Sequence, residues 1–279
     1  MSESSLPVSQ FHVDPAKCTA CGACVRDCPV GIIHIADGVA AVKPADDAEC
    51  VGCQHCLAIC PFAAVGVAGK KPEDSRPVGG CDPAVLDRLI RSRRSVRQFA
   101  PGVVEPALLR RVMETVAYAP TGVNIRDLLF TIVHDPKVMG ALRQRVCEAL
   151  VARAGQLPPD HAWLADLAKD WLDKKVDGIF RTAPHLIVVT AGSGQICKVP
   201  DCLIALSYFD LVAQANNIGT TWCGMMDGVL RCLPECRSWL GIPGDHELGY
   251  VMLFGPKGVD YARTAQYDLS GVTMVEKLV

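Results

Sequence analysis

Two runs of cysteine with identical spacing constrain this chain more than any other feature of its sequence. Each run reads Cys-x-x-Cys-x-x-Cys-x-x-x-Cys-Pro, and the second run repeats the first at one constant offset. An internal repeat of this kind predicts two copies of one small unit, here a cysteine loop, a short helix and a β-strand. The eight cysteines are Cys18, Cys21, Cys24, Cys28, Cys50, Cys53, Cys56 and Cys60.

This spacing is typical of [4Fe–4S] ligation. Three closely spaced thiolates can wrap one corner of the cube from a tight loop, and the fourth cysteine of each run ligates the other cluster. The sequence therefore predicts two clusters with crossed ligand sets. One set is Cys18, Cys21, Cys24 and Cys60; the other is Cys50, Cys53, Cys56 and Cys28.

The alternative for these runs is a pair of zinc sites. Structural zinc usually takes cysteines in two-plus-two pairs, and two complete four-cysteine runs, each followed by proline, fit that pattern poorly. The runs resemble those of the bacterial two-cluster ferredoxins over roughly residues 9–70. A domain of this size has a thin core, so we expect bound clusters to supply much of its folding free energy.

The remaining seven cysteines lack ligand spacing. We interpret them as small buried hydrophobic residues and assign them no ligand role. They are Cys81, Cys147, Cys197, Cys202, Cys223, Cys232 and Cys236.

Composition limits the classes of partner and compartment. Half of the 279 residues are hydrophobic, 21% are charged, and the formal net charge is −2. That balance favours neither nucleic acid nor an anionic membrane as a partner.

No apolar run is long enough to span a bilayer, and the N-terminus lacks the pattern of a signal peptide. Fifteen cysteines in such a chain indicate metal or redox chemistry rather than a disulfide scaffold, and the expected compartment is the cytoplasm.

The chain divides into three segments by composition. We predict a ferredoxin-like domain over 1–70, a linker over 71–82 rich in charge, proline and glycine, and an α+β domain over 83–279. Asp82-Pro83 predicts a helix start. Further helices are expected at 106–118, 137–154, 163–180 and 201–216, the last with Asp201 as its cap, and strands at 128–133, 186–190 and 248–254.

A cationic stretch follows the helix start. Residues 90–99 carry four arginines and two serines. In a purely structural interpretation, these cations stabilise the C-terminus of the helix by interacting with the helix dipole. Guanidinium forks beside a serine hydroxyl are also the groups that bind a phosphate, so both interpretations stay open from the residues alone.

Four segments in order resemble the nitroreductase family of FMN enzymes. Residues 93–99 (Arg-Arg-Ser-Val-Arg-Gln-Phe) are similar to the opening signature of that family, and 119–124 (Ala-Pro-Thr-Gly-Val-Asn) to its Ala-Pro-Ser/Thr-x-x-Asn segment. Residues 218–224 loosely resemble the family's glycine–tryptophan turn, and 255–263 its final strand with a returning arginine. Together these segments cover residues 84–265.

The resemblance implies an α+β fold with a mixed sheet and flanking helices. It implies a homodimer that binds FMN at the subunit interface. Arg93, Arg94, Ser95, Arg97 and Arg263 would contact the phosphate and ribityl chain. Pro120, Thr121 and Asn124 would reach the flavin from the partner subunit, and Gly224 would offer a backbone N–H near the ring.

One residue departs from the family pattern. The family continues Asn-x-Gln-Pro, whereas this chain has Arg126 at the position of the glutamine. If Arg126 faces the pyrimidine edge of the flavin, its charge would stabilise the anionic reduced form and raise the flavin potential. In the alternative, Arg126 points to solvent or pairs with Asp127.

The sequence predicts an FMN- and [4Fe–4S]-dependent oxidoreductase that reduces a small nitro, quinone or enone acceptor. The donor would be a ferredoxin, a partner oxidoreductase or NAD(P)H. No dinucleotide-binding fingerprint, P-loop or hydrolase motif is present. Two alternatives remain: an electron carrier that serves a protein partner without its own small-molecule substrate, and a sensor or assembly protein that has lost its flavin.

Overall fold

The computed structural model describes residues 11–276, which form two compact units. The first unit contains the described residues up to Gly80 together with Thr121–Ile125, and the second contains Cys81–Pro120 and the chain from Arg126 onward. The predicted boundaries at 70/71 and 82/83 stay predictions. The signal-peptide argument concerns residues 1–10, which lie outside the described residues, so the cytoplasmic location also stays a prediction.

The first unit is built from two short helices and two small antiparallel sheets. β1 pairs with β4, and β2 pairs with β3. Its core is formed by apolar side chains together with cysteines of both runs, which leaves few residues to stabilise it without metal. The elements are β1 (His12–Val13), α1 (Ala23–Asp27), β2 (Ile33–Ala36), β3 (Val39–Val42), α2 (His55–Ile59) and β4 (Val65–Gly66).

The repeat in the sequence is also a repeat of backbone conformation. Ala20 and Gly52, which occupy equivalent positions of the two runs, have φ values of 55° and 60°. The equivalent pair Gly22 and Gln54 have φ values of 71° and 64°. Left-handed backbone costs a residue with a side chain about 1–2 kcal/mol, so its retention at Ala20 and Gln54 indicates that the wrapping of the cysteine loops requires it.

The stretch after the second repeat is not wholly irregular. A short 3-10 helix spans Pro72–Asp74, and Glu73 Oε1 lies 3.0 Å from Lys17 Nζ. Both side chains are exposed, so this ion pair stabilises the contact only weakly.

The second unit contains seven helices and four strands within the described residues. The helices are α3 (Pro83–Ser92), α4 (Pro106–Val116), α5 (Pro136–Ala152), α6 (Trp163–Lys174), α7 (Lys198–Ala215), α8 (Gly224–Cys232) and α9 (Pro234–Trp239). The strands are β5 (Leu128–Val133), β6 (His185–Ala191), β7 (Ile218–Trp222) and β8 (Glu247–Pro256).

These four strands form one sheet in the order β5–β6–β8–β7, with antiparallel neighbours. Ser95 pairs with Thr220 in the parallel sense, so the β7 edge carries both orientations. The α+β class with a mixed sheet is confirmed.

Helices cover both faces of the sheet, and the alternation of strand side chains shows why. Leu186 and Val188 of β6 join the core formed with α5, α6 and α8, whereas Ile187 and Val189 join the core formed with α4 and α7. Successive strand residues point to opposite faces, so an uninterrupted apolar strand requires cover on both sides. The second unit is therefore a three-layer sandwich.

Three sequence expectations were wrong in detail. The helix expected over 163–180 ends at Lys174, because Lys175 adopts the left-handed conformation at φ 59°. Asp201 does not cap its helix: α7 begins at Lys198, and the Asp201 carboxylate accepts a hydrogen bond from the Gln195 amide. Cys81 is exposed, and Cys197 and Cys232 are only partly buried.

No helix within residues 11–276 combines the length and the apolar character needed to cross a bilayer.

Candidate cofactor sites

A cavity of about 360 Å³ in the first unit is bounded by cysteines of both runs. Its lining includes Cys28, Cys50, Cys53 and Cys56. Cys28 comes from the first run and the other three from the second. This is the second crossed ligand set expected from the sequence, and four thiols around one cavity fit the needs of a cubane cluster.

The other cysteine set lines a second cavity of about 310 Å³. It contains Cys18, Cys21 and Cys24 of the first run together with Cys60 of the second. Across residues 11–276, no three His, Cys, Asp or Glu side chains converge closely enough to hold a single metal ion. The eight thiols instead surround two cavities, four to each.

Backbone amides donate to two of these sulfurs. Gly52 N–H donates to Cys50 Sγ at 3.4 Å, and Ala64 N–H donates to Cys60 Sγ at 3.3 Å. Hydrogen bonds to ligating sulfurs tune the potential of a cluster. Burial raises the pKa of the Cys56 thiol to about 12 and also raises that of Cys24. Binding of iron must therefore displace thiol protons.

The arginine cluster lies at the end of α3, and its members have different partners. Arg94 donates to the carbonyls of Arg93 and Arg91, at 2.6 and 2.9 Å, and so caps the helix C-terminus. Arg93 points elsewhere, with Nη1 lying 3.4 Å from Asp210 Oδ2. Arg97 is exposed. The structural interpretation thus describes Arg94, whereas Arg93 is paired with Asp210 and Arg97 is exposed.

Ser95 lies beside the edge strand of the sheet. Val96 N–H donates to Thr220 O at 2.8 Å, next to the Ser95–Thr220 bridge. Tyr261 Oη donates to Ser95 O at 3.3 Å, and Arg263 follows shortly after Tyr261. The structure therefore brings the opening and closing arginine segments together beside Thr220 of β7.

Asp210 was not identified from the sequence, although it is central to this region. Its carboxylate is buried on α7 and accepts hydrogen bonds from Thr220 Oγ1 and, at 3.2 Å, from Trp222 Nε1. Arg93 is its charged partner. An acidic residue between the apolar residues Phe209 and Leu211 of this helix was the available signal, because a buried carboxylate requires partners.

Gly224 is the first residue of α8, directly after β7 and Cys223. A Cβ at this position would lie 3.3 Å from Tyr250 Oη, so glycine keeps the backbone accessible. The helix N-terminus presents N–H groups and a positive dipole end. The extended chain from Thr220 to Gly224 spans about 13 Å. A cationic cluster at one end of this span and backbone donors at the other fit a phosphorylated flavin.

The remaining candidates lie in a segment of unusual backbone. Val123, Asn124 and Arg126 have φ values of 52°, 57° and 58°. Asn124 Nδ2 donates to Val51 O at 2.9 Å, within the first unit. Arg126 is exposed and donates from Nη1 to Ala117 O at 2.5 Å.

Pro120 is exposed and belongs to the second unit, whereas Thr121 belongs to the first. Contact of Pro120, Thr121, Asn124 and Arg126 with a flavin stays a prediction.

Comparison with known proteins identifies the class of protein. The nitroreductase family model matches residues 90–256, more than half of the chain. The chain therefore belongs to the nitroreductase family. A 4Fe-4S dicluster domain model matches residues 17–64, so the predicted fusion is confirmed.

Individual relatives are more distant. Human iodotyrosine deiodinase 1 is 26% identical over 182 residues, covering 60% of this chain and 59% of the relative. The nitroreductase NfnB of Mycolicibacterium smegmatis is 40% identical over 65 residues, covering 23% of this chain and 26% of the relative. The chain thus spans about three fifths of the length of the first curated relatives that it matches.

Among solved structures, a nitroreductase with bound FMN from Bacteroides fragilis superposes with a TM-score of 0.56 at 23% identity. The match covers 68% of this chain and 98% of the other. At this identity the likeness establishes the fold.

Proposed function

We propose that this chain is an FMN-dependent oxidoreductase that receives electrons through two [4Fe–4S] clusters and reduces a small nitro, quinone or enone acceptor. The observation that carries the proposal is the pairing, in one chain, of two four-cysteine cavities with a nitroreductase domain. When bound, the clusters supply single-electron transfer, and the flavin supplies two-electron transfer to the acceptor.

The residues of the chain bind and position these groups. In this proposal Arg93, Ser95, Arg97 and Arg263 hold the phosphate, because guanidinium forks and a hydroxyl suit phosphate oxygens. The proposal is supported by the contact between their two segments, in which Ser95 pairs with Thr220 and Tyr261 donates to the Ser95 carbonyl. The N-terminus of α8 at Gly224 offers backbone N–H groups and a positive dipole end toward the ring.

The acceptor class rests on the family. The similarity to iodotyrosine deiodinase adds halogenated phenols to the acceptors worth testing, beside nitroaromatic compounds. The donor is a reduced ferredoxin, a partner oxidoreductase or NAD(P)H. Fusion of the donor module to the flavin domain raises its effective concentration, which favours a donor that reduces the clusters.

We further propose that two chains associate. The face of α7 turned away from its core exposes Leu203, Ile204 and Tyr208. The helix α3 likewise exposes Val85 and Ile90. Apolar side chains in such number on two helices favour a protein interface. A homodimer formed through this surface would also allow Pro120, Thr121 and Asn124 to reach the flavin of the partner subunit.

The deciding experiment measures iron, sulfide and flavin in anaerobically purified protein, followed by stopped-flow reduction with a low-potential donor. About eight irons and one FMN per chain, with reoxidation by a nitroaromatic or quinone acceptor, support the proposal. Eight irons without flavin, even after reconstitution with FMN, would contradict it. Full cofactor content without turnover on any small acceptor would favour the electron carrier that serves a protein partner.

A further inference from the structure

One peptide group in the first unit is hydrogen-bonded at both ends. The carbonyl of Val51 accepts from Asn124 Nδ2 at 2.9 Å, and the N–H of Gly52, which belongs to the same peptide group, donates to Cys50 Sγ at 3.4 Å. Both hydrogen bonds are partly buried, so water screens them only in part. The side chain of Asn124 is thus connected to a cluster sulfur through a single peptide plane.

Hydrogen bonds in such a chain polarise one another. A donor on the carbonyl withdraws electron density from the peptide and strengthens the N–H at its other end. A stronger N–H donor stabilises the additional negative charge that the sulfurs carry when a cluster is reduced, and so raises its potential.

The source of this donor is remote from the cysteine runs in sequence. Asn124 lies far downstream of Cys60, the last cysteine of the second run. The segment Thr121–Ile125 groups with the first unit, whereas Pro120 and Arg126 on either side belong to the second. The backbone of this segment is also strained, since Val123 is β-branched and has φ 52°. Such strain persists only where surrounding contacts enforce the conformation.

The equivalent peptide of the other repeat lacks this arrangement. Thr19 and Ala20 occupy the positions in the first run that Val51 and Gly52 occupy in the second, and Ala20 has a similar φ of 55°. In the described part of the chain, no side chain donates to the Thr19 carbonyl, and Ala20 N–H makes no hydrogen bond to Cys18 Sγ. The repeat therefore provides an internal reference cluster.

We propose that Asn124 is a positioning residue that raises the reduction potential of the cluster held by Cys28, Cys50, Cys53 and Cys56, acting through the Val51–Gly52 peptide. The two clusters then differ in potential although their ligand runs are identical. The cluster with the raised potential is the one connected, through this peptide, to a segment inside the nitroreductase match. The inference rests on the proposed function only for the presence of the clusters.

The test is a redox titration of anaerobic, iron-reconstituted full-length protein, monitored by EPR. In Asn124→Ala, one cluster is expected to shift to a lower potential while the other stays unchanged. In Asn124→Asp, a carboxylate faces the Val51 carbonyl, and the same cluster is expected to shift further. Cys21→Ser alters a ligand of the reference cluster and so assigns the two EPR signals.

Arg126→Gln is the matched control, because it changes a neighbouring residue whose guanidinium donates to the Ala117 carbonyl, in the second unit. It is expected to leave both cluster potentials unchanged. Unchanged cluster potentials in both Asn124 variants, or equal shifts of the two clusters, would overturn the inference. Flavin content is measured on the same samples, so loss of the flavin proposal is distinguishable from failure of this one.

Discussion

His185 shows how burial lowers the pKa of a single residue. Its ring is fully buried at the start of β6 and stacks on His134 with ring centroids 4.5 Å apart. Val104 N–H donates to His185 Nε2 at 2.9 Å, and His134 Nε2 donates to Val104 O at 2.7 Å. Burial, and secondarily the charge of His134, lower the pKa of His185 to about 4.

We predict that His185 makes the second unit sensitive to acid. Because the pKa in the folded state lies below the ordinary value of 6.5, the unfolded chain takes up the proton first. The free energy of unfolding should therefore fall as the pH decreases below 6.5, by about 2 kcal/mol at pH 5. Urea unfolding of the wild type and of His185→Gln across this range measures the effect. An equally steep pH dependence in the variant would assign the sensitivity to another group.

Asp210 joins two donors of β7, Thr220 and Trp222, to Arg93 at the end of α3. In Asp210→Asn, a single amide oxygen replaces two carboxylate oxygens, so at least one buried donor loses its acceptor. We expect a loss of about 1–3 kcal/mol in unfolding free energy. We also expect a larger loss of affinity for FMN than for riboflavin, because Arg93, which we propose as a phosphate ligand, loses the carboxylate that holds its guanidinium in place.

Parallel flavin titrations and thermal melts measure these two effects of Asp210→Asn. The matched control is Asp227→Asn, which removes a partly exposed i,i+4 pair with Arg231 and should change neither quantity greatly. An equal loss of affinity for both flavins would show that Asp210 acts on the fold alone.

At the scale of elements, the contact between β8 and α7 depends on Gly249. A Cβ there would lie 2.1 Å from Cys202 Cβ and 2.9 Å from Val189 O. One neighbour is a buried helix side chain and the other is the backbone of the adjacent strand, so neither can move freely. Glycine therefore fixes the depth at which the helix packs on the sheet.

We predict that Gly249→Ala destabilises the second unit by about 1–3 kcal/mol, because an overpacked site forces the backbone to shift. Chemical denaturation measures the change. Gly244→Ala is the control, because no atom lies within 4 Å of the Cβ it would add, and it should be nearly neutral. Equal effects of the two substitutions would argue against packing as the cause.

At the scale of the whole molecule, the two units depend on different sources of stability. The first has a small core that includes ligand cysteines, whereas the second has two large apolar cores. We predict that removal of iron by an anaerobic chelator unfolds the first unit and leaves the second folded. Hydrogen exchange should show protection lost in β2 and β3 but retained in β6 and β8. Retained protection in the first unit would contradict the prediction.

The proposed homodimer gives a further prediction at this scale. Ile204→Glu places a charge on the exposed face of α7 and should shift the protein toward the monomer, because burying an unpaired carboxylate is costly. Sedimentation velocity measures the change. Val138→Glu, at an exposed apolar residue of α5, is the control and should not alter the sedimentation coefficient. A dimer that tolerates Ile204→Glu would place the interface elsewhere.

Local features of the molecule could be predicted because they are encoded over short distances. The cysteine spacing predicts three ligands of each cluster within one short loop, and the repeat of the cysteine runs recurs in the backbone angles. The strand at 128–133 has the predicted limits, because a mostly apolar run between the polar residues Asp127 and His134 leaves little choice. The end of α6 was missed, because its left-handed turn is made by Lys175. Lysine is not a residue type from which a left-handed turn can be predicted.

The sequence by itself thus determined the two units, the eight cysteines and the order of the family segments. Only the tertiary structure decided which acceptor meets which donor: the Asp210 carboxylate meets Arg93, and the Val51 carbonyl meets Asn124. The physical reason is that the members of each pair are separated by long stretches of chain. Residue type alone cannot specify contacts over such separations, because they arise only when the sheet, its helices and the cysteine loops have packed.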